Sequence, residues 1–94
     1  MRKRVVITGL GCISPVGNDV KTLWENITAG RSGIDTITQY DPSEHKTKIA
    51  AEVKGFDGPA MFGQREARRM DRYTQYALAA TIQAVEDAGY QARA

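Results

Sequence analysis

The sequence predicts an α/β fold, and three stretches carry that reading. Val5 to Gly11 (VVITGLG) is a near-continuous apolar run with β-branched residues in succession, the pattern of a strand buried on both faces in a parallel sheet. A loop holding Ser14, Pro15 and Gly17 then leads into Val20, Leu23, Trp24 and Ile27, which fall at i, i+3, i+4 and i+7 and form one amphipathic helical stripe. From about Gly63 to Ala88 the pattern is helical again, as a short helix running into a longer one.

The first helix has its punctuation in place. Asn18 is positioned as N-cap, Asp19 in the first turn suits the helix dipole, and Gly30 is positioned as C-cap. Asn26-Ile27-Thr28 matches a glycosylation sequon, but it lies within the helix and is read as coincidence. Residues 31–47 read as an irregular, turn-rich excursion containing YDPSEHKTK. Lys48 to Lys54 alternates Ile49, Ala51 and Val53 with other residues, which predicts a second strand, and GFDGP breaks it. In the long helix Ala77, Ala80, Ala84 and Ala88 share a side, with Leu78, Ile82 and Val85 beside them. Gln75, Gln83 and Glu86 leave only a narrow polar edge, so close packing by neighbours is expected, and Gly89 ends the helix.

Composition sets the bounds. Ninety-four residues suit one small domain with no internal boundary. A hydrophobic content of 41% and a charged content of 26% describe a soluble globular chain, with no apolar stretch long enough for a bilayer. The basic start, MRKR, precedes an apolar run, yet Thr8, the glycines and Pro15 interrupt it and no Ala-x-Ala site follows, so a cytoplasmic protein is expected. One cysteine, Cys12, excludes an internal disulfide, and with one histidine, His45, it builds no zinc cage, so no metal and no cofactor are expected. A net charge of +2 does not point to nucleic acid. Two visible strands do not make an independent sheet, and the chain stops after Gly89 where βα order would deliver another strand. The expectation is an N-terminal piece of a larger α/β protein.

The glycine-rich turn does not suit a nucleotide. A dinucleotide fingerprint needs Gly-x-Gly-x-x-Gly, and after Gly9 and Gly11 the third position is Ser14; the Thr-Gly-x-x-x-Gly variant meets Ile13. Pro15 removes a donor, and no Walker lysine is present. A nicotinamide-dependent reductase is therefore the demoted reading, and glycines that let the backbone turn and pack are preferred.

The combination of VVITGLGCISPVGN, the Trp24 helix, AGRSGI and QREARRMDRYTQYALAA resembles the N-terminus of the β-ketoacyl-acyl-carrier-protein synthases, and within them the type II condensing enzymes of bacterial fatty-acid synthesis. The resemblance runs along nearly the whole chain. It implies a thiolase-like fold, layered α/β with a mixed sheet, present here as an incomplete N-terminal half. It also implies decarboxylative condensation of malonyl-carrier with an acyl-enzyme thioester, acyl carrier protein as partner, and a homodimer. The family's nucleophilic cysteine and paired histidines lie downstream, and nothing in 1–94 matches them, so no catalytic residue is expected here. Cys12, at a strand end beside Ile13, reads as an inert thiol, and His45, among Glu44, Lys46 and Lys48, reads as a solvated surface residue.

Arg65, Arg68, Arg69 and Arg72 recur at i, i+3, i+4 and i+7, so on one helix they share a face about 100° wide. From the residues alone this is a solvated face with weak local ion pairs or a docking surface. The resemblance favours docking of an acidic carrier protein, since the family's basic positions align with Arg65, Arg68 and Arg69. Arg72 shares the face and is the member that could pair inside the protein instead. The competing reading is a non-catalytic fragment serving as an interaction or structural module.

Overall fold

A computed structural model describes residues 2–91. In chain order the elements are α1 (Val20–Thr28), β1 (Ile34–Thr36), β2 (Ile49–Ala51), α2 (Gly58–Phe62), α3 (Gln64–Arg69) and α4 (Arg72–Ala88). The sheet is a single antiparallel pair, with Ile34 opposite Ala51, Asp35 opposite Ala50 and Thr36 opposite Ile49.

The predicted strand at Val5–Gly11 is corrected. The segment is not in any ladder, and Val5, Val6 and Ile7 are 92%, 67% and 83% exposed. A strand exists only where a neighbour takes up its backbone groups, and here α4 takes that part at one end. The Asp87 carboxylate accepts from the Leu10 amide at 3.0 Å, and the Gln83 side-chain oxygen accepts from the Cys12 amide at 2.9 Å. The approach is close. A β-carbon at Gly9 would strike the Ala84 carbonyl and Ala88, and one at Gly11 would strike the Ala80 carbonyl. Ala80, Ala84 and Ala88 of α4 are therefore the seat of the glycine-bearing segment, whereas Ala77, Leu78, Ile82 and Val85, expected to be packed as well, are exposed.

Other boundaries shift for local reasons. The N-cap of α1 is Asp19, not Asn18: the Asp19 carboxylate accepts from the Thr22 amide at 2.7 Å. Those hydrogen bonds, the backbone one first, hold the Asp19 carboxyl below its ordinary range. Asn18 instead donates to the Lys54 carbonyl at 2.7 Å. Gly89, at φ 65, caps the C-terminus of α4 as expected, whereas the C-cap of α1 is Ala29, one residue before the expected Gly30, which follows it at φ 72. The excursion at 31–47 conceals β1, and GFDGP conceals the start of α2, capped by Asp57 on the Ala60 amide at 3.1 Å.

The far end of the hairpin is held by charge. Glu52 accepts from the Thr38 amide at 3.0 Å, the Thr38 hydroxyl at 2.9 Å and the Gln39 amide at 3.2 Å. Lys48 donates to the carbonyls of Pro42, Ser43 and His45. Partial burial pushes the Glu52 carboxyl up, but the hydrogen bonds from Thr38 and Gln39, with the Lys54 charge, outweigh it and leave the group below its ordinary range.

Substituting Gly11→Ala in the full-length protein overpacks the seat on α4 and should lower stability by about 1–3 kcal/mol, measured by urea denaturation. The Glu52 carboxyl titrates lower when folded than when unfolded, so its contribution is present at neutral pH and is lost as pH falls below the ordinary glutamate value of about 4.3. Protection of the Thr38 and Gln39 amides, taken against their intrinsic exchange rate at each pH, should fall through that range, and Glu52→Gln should remove most of that fall.

Candidate functional site

The arginines occupy two helices, not one. Arg65, Arg68 and Arg69 lie on α3, whereas Met70, at φ −113 and ψ 135, breaks the helix and Arg72 opens α4. The break has a cause in the sequence. The Gln75 amide donates to the carbonyls of Ala67 at 3.0 Å and Met70 at 3.2 Å, groups that a continuous helix would use internally. The Met70 amide closes the last turn of α3 on Ala67 at 3.3 Å. Arg68 and Arg69 stand in that last turn, where positive charge suits the helix dipole. All four arginines are exposed. Arg68 and Arg72 share the lining of a cavity of about 690 Å³ between the 53–59 segment, α3 and α4; Arg65 and Arg69 are not part of it.

Cys12 and His45 stand apart from this cluster. Cys12 is half-buried, its thiol lies 3.9 Å from the Gly17 carbonyl, and its amide is bound by Gln83. His45 is exposed in the 38–48 loop, with its ring edge-on to Tyr40 at 5.6 Å. Neither is placed beside a base or a nucleophile by the hydrogen bonds of the described residues. Among those residues no group of three His, Cys, Asp or Glu side chains could hold a metal ion, and no helix is long and apolar enough to cross a membrane.

The turn at 14–17 is closed by its own groups. Ser14 and Gly17 form a bridge, and the Ser14 hydroxyl oxygen accepts from the amides of Val16 and Gly17 at 3.2 and 3.1 Å. Donors that a phosphate would need are thus already used, in keeping with the structural reading of the glycines. Sequence reasoning did not foresee the roles of Gln75 and Gln83. They read as a polar margin, and the signal available was that both are long amides on an alanine-rich helix, able to donate and accept together.

In class, the docked N-terminal segment, the hairpin and the helices belong to a thiolase-like α/β fold, of which the described residues show one antiparallel strand pair. The chain matches the ishigamide ketosynthase/chain length factor structure with a TM-score of 0.86 and 38% identity, covering 97% of this chain and 23% of that one. Residues 2–94 match the family described as Beta-ketoacyl synthase, N-terminal domain, and the chain belongs to that family. It is 54% identical over 86 residues to 3-oxoacyl-[acyl-carrier-protein] synthase 2 of Staphylococcus aureus (strain COL), covering 92% of this chain and 21% of that protein. Against the protein of the same name from Vibrio cholerae it is 46% identical over 90 residues, covering 96% of this chain and 22% of that protein. The chain thus spans about a fifth of the length of the curated relatives it matches.

With its amide and thiol both occupied by packing, Cys12 should behave as an ordinary half-buried thiol. Cys12→Ala in the full-length protein should leave turnover unchanged, and labelling of Cys12 by a condensing-enzyme inhibitor at the rate of an active-site thiol would contradict this.

Proposed function

We propose that the protein is a 3-oxoacyl-[acyl-carrier-protein] synthase that elongates fatty acids, with residues 1–94 part of an N-terminal thiolase-like half that has no internal boundary. The observation that carries this is the family match over residues 2–94 together with 54% identity to a protein of that name. In the reaction, malonyl-carrier loses carbon dioxide, and the resulting carbanion attacks the acyl thioester held on a cysteine of the enzyme, expelling the thiolate. The groups for that step belong to other parts of the enzyme. What this segment contributes is scaffold and a place for the carrier to land.

The landing surface is Arg65, Arg68, Arg69 and Arg72. Clustered guanidinium groups raise the local concentration of an acidic protein and bind its carboxylates through a planar fork, which fixes orientation as well as proximity. Orientation matters because the acyl group arrives on a long phosphopantetheine arm that must enter the active site from the carrier's docked position. The break at Met70 supports the reading in a particular way, since it spreads the four charges over two helices and widens the area that a carrier can meet. We further infer a homodimer working in the cytoplasm, on the resemblance alone.

The experiment separates carrier recognition from chemistry. Arg65→Glu combined with Arg68→Glu should raise KM for carrier-bound substrates by about tenfold or more while sparing small thioester analogues, with the loss diminishing as salt is added. Equal loss with both kinds of substrate would mark a folding defect and overturn the docking role.

A further inference from the structure

The loop between β1 and β2 is wound around a cation. Asp41 opens its turn by accepting from the Ser43 amide at 3.0 Å, and the His45 amide donates to the Pro42 carbonyl at 2.9 Å. The turn thereby aims three carbonyls, those of Pro42, Ser43 and His45, at one point. The Lys48 ammonium stands there and donates to all three, to the first two at 3.3 and 3.1 Å. An ammonium has three N–H groups and no acceptor, so its donors and the carbonyls match in number. The ladder fixes where this side chain starts, because the Lys48 carbonyl accepts from the Ile37 amide at 2.9 Å beside the Thr36–Ile49 pair.

Carbonyls that converge with nothing positive between them repel one another. Converging carbonyl oxygens can also replace the water shell of a monovalent cation, and potassium has nearly the radius of ammonium. Magnesium gives up its waters reluctantly and prefers carboxylates. A tethered ammonium is present at high effective concentration, so it holds the point against cations in solution. The three carbonyls and their occupant all belong to residues 42–48, so the site is complete whatever the longer protein packs around it. At the other end of the loop the Glu52 carboxylate takes the amides of Thr38 and Gln39, so the two ends are held by charges of opposite sign.

We propose that the 42–45 turn is a carbonyl site for a monovalent cation, filled by the protein's own Lys48 ammonium and open to potassium or ammonium ions when that group is removed. The cation closes the 38–48 loop, and the stem of Lys48 delivers it.

The test is hydrogen exchange of the 41–47 segment in the full-length protein, taken against intrinsic rates, in choline, potassium and ammonium chloride at one ionic strength. The parent should be equally protected in all three. Lys48→Met should lose protection by about tenfold in choline chloride, as expected for lost hydrogen bonds to a charged group. It should regain most of it in potassium and ammonium chloride, whose cations fit where choline is too large. Lys46→Met, in the same exposed loop, should match the parent. Where Lys48→Met melts too low to measure, Lys48→Gln, which keeps a donor without the charge, is read in the same salts with the same expectations. Protection equal to the parent's in choline chloride would show that the turn needs no cation. An equal loss in all three salts would show that Lys48 acts only as a tether, and an equal loss in Lys46→Met would assign the effect to the loop's net charge. Any of these results overturns the site.

Discussion

The arrangement of the chain depends on one amide, the side chain of Gln83. Its oxygen accepts from the Cys12 backbone, and its nitrogen donates to the Asn18 carbonyl at 2.6 Å, so the two ends of the loop between the N-terminal segment and α1 are tied to one point on α4. The tie continues. Asn18 donates to the Lys54 carbonyl, and the Lys54 ammonium donates to the Gly33 carbonyl at 3.1 Å, joining the exit of β2 to the approach to β1. Only a group that donates and accepts can hold this place: a glutamate loses the donor and a leucine loses both. Each such bond contributes about 1 kcal/mol net, but leaving the partly buried backbone groups unpaired costs more. Hydrogen bonds of this kind weigh heavily here because the apolar core is small, with Ile37, Ala67 and Ala79 the buried hydrophobic residues among those described.

A second side-chain amide has the corresponding effect at the other end of α4. By holding the Ala67 and Met70 carbonyls, Gln75 stabilises a bend where the sequence spacing would allow a continuous helix. On a continuous helix the four arginines would form one strip. With the bend, Arg68 and Arg72 come to border a common cavity, while Arg65 and Arg69 lie outside its lining. Electrostatic reach and local shape thereby become properties of different arginines, although all four belong to the same cluster in the sequence.

This division marks how far the fold was legible from the residues. The stripe of Val20, Leu23, Trp24 and Ile27 identified α1, and Gly30 and Gly89 identified the ends of two helices, because those signals are local and their physics is complete within a turn. The alanine side of α4 is closely packed only at Ala80, Ala84 and Ala88, where Gly9 and Gly11 approach it, while Ala77, Leu78, Ile82 and Val85 are exposed, so the expected close packing holds for part of the helix. Val5–Gly11 failed as a strand prediction because a strand is defined by a neighbour, and no periodicity supplies one. Ile34–Thr36 was hidden for a related reason: three residues in a polar surrounding carry no alternation long enough to read, and their conformation is set by Ile49–Ala51 across the ladder. For the candidate site, residue spacing showed the arginine cluster, while the cavity beside it depends on Phe56 meeting Tyr76 across the fold.

Many of the exposed apolar groups lie on the N-terminal segment, the hairpin and α1. Val5, Ile7, Ile34 and Ile49 are 92%, 83%, 57% and 57% exposed on the N-terminal segment and the hairpin, and Trp24 is 66% exposed on α1. The radius of gyration is 16.7 Å, against about 12 Å for a compact chain of this length. Exposed carbon in this amount is suited to contact with more protein. Four arginines stand on the short helix α3 and at the head of α4, all of them exposed. An apolar interface made once and kept needs little electrostatic steering, whereas a carrier that must arrive, deliver and leave needs fast encounter and a grip that can be released. The glycine–alanine contact of Gly9 and Gly11 with Ala80, Ala84 and Ala88 involves none of the four arginines, so the proposed docking role can be altered without disturbing that contact.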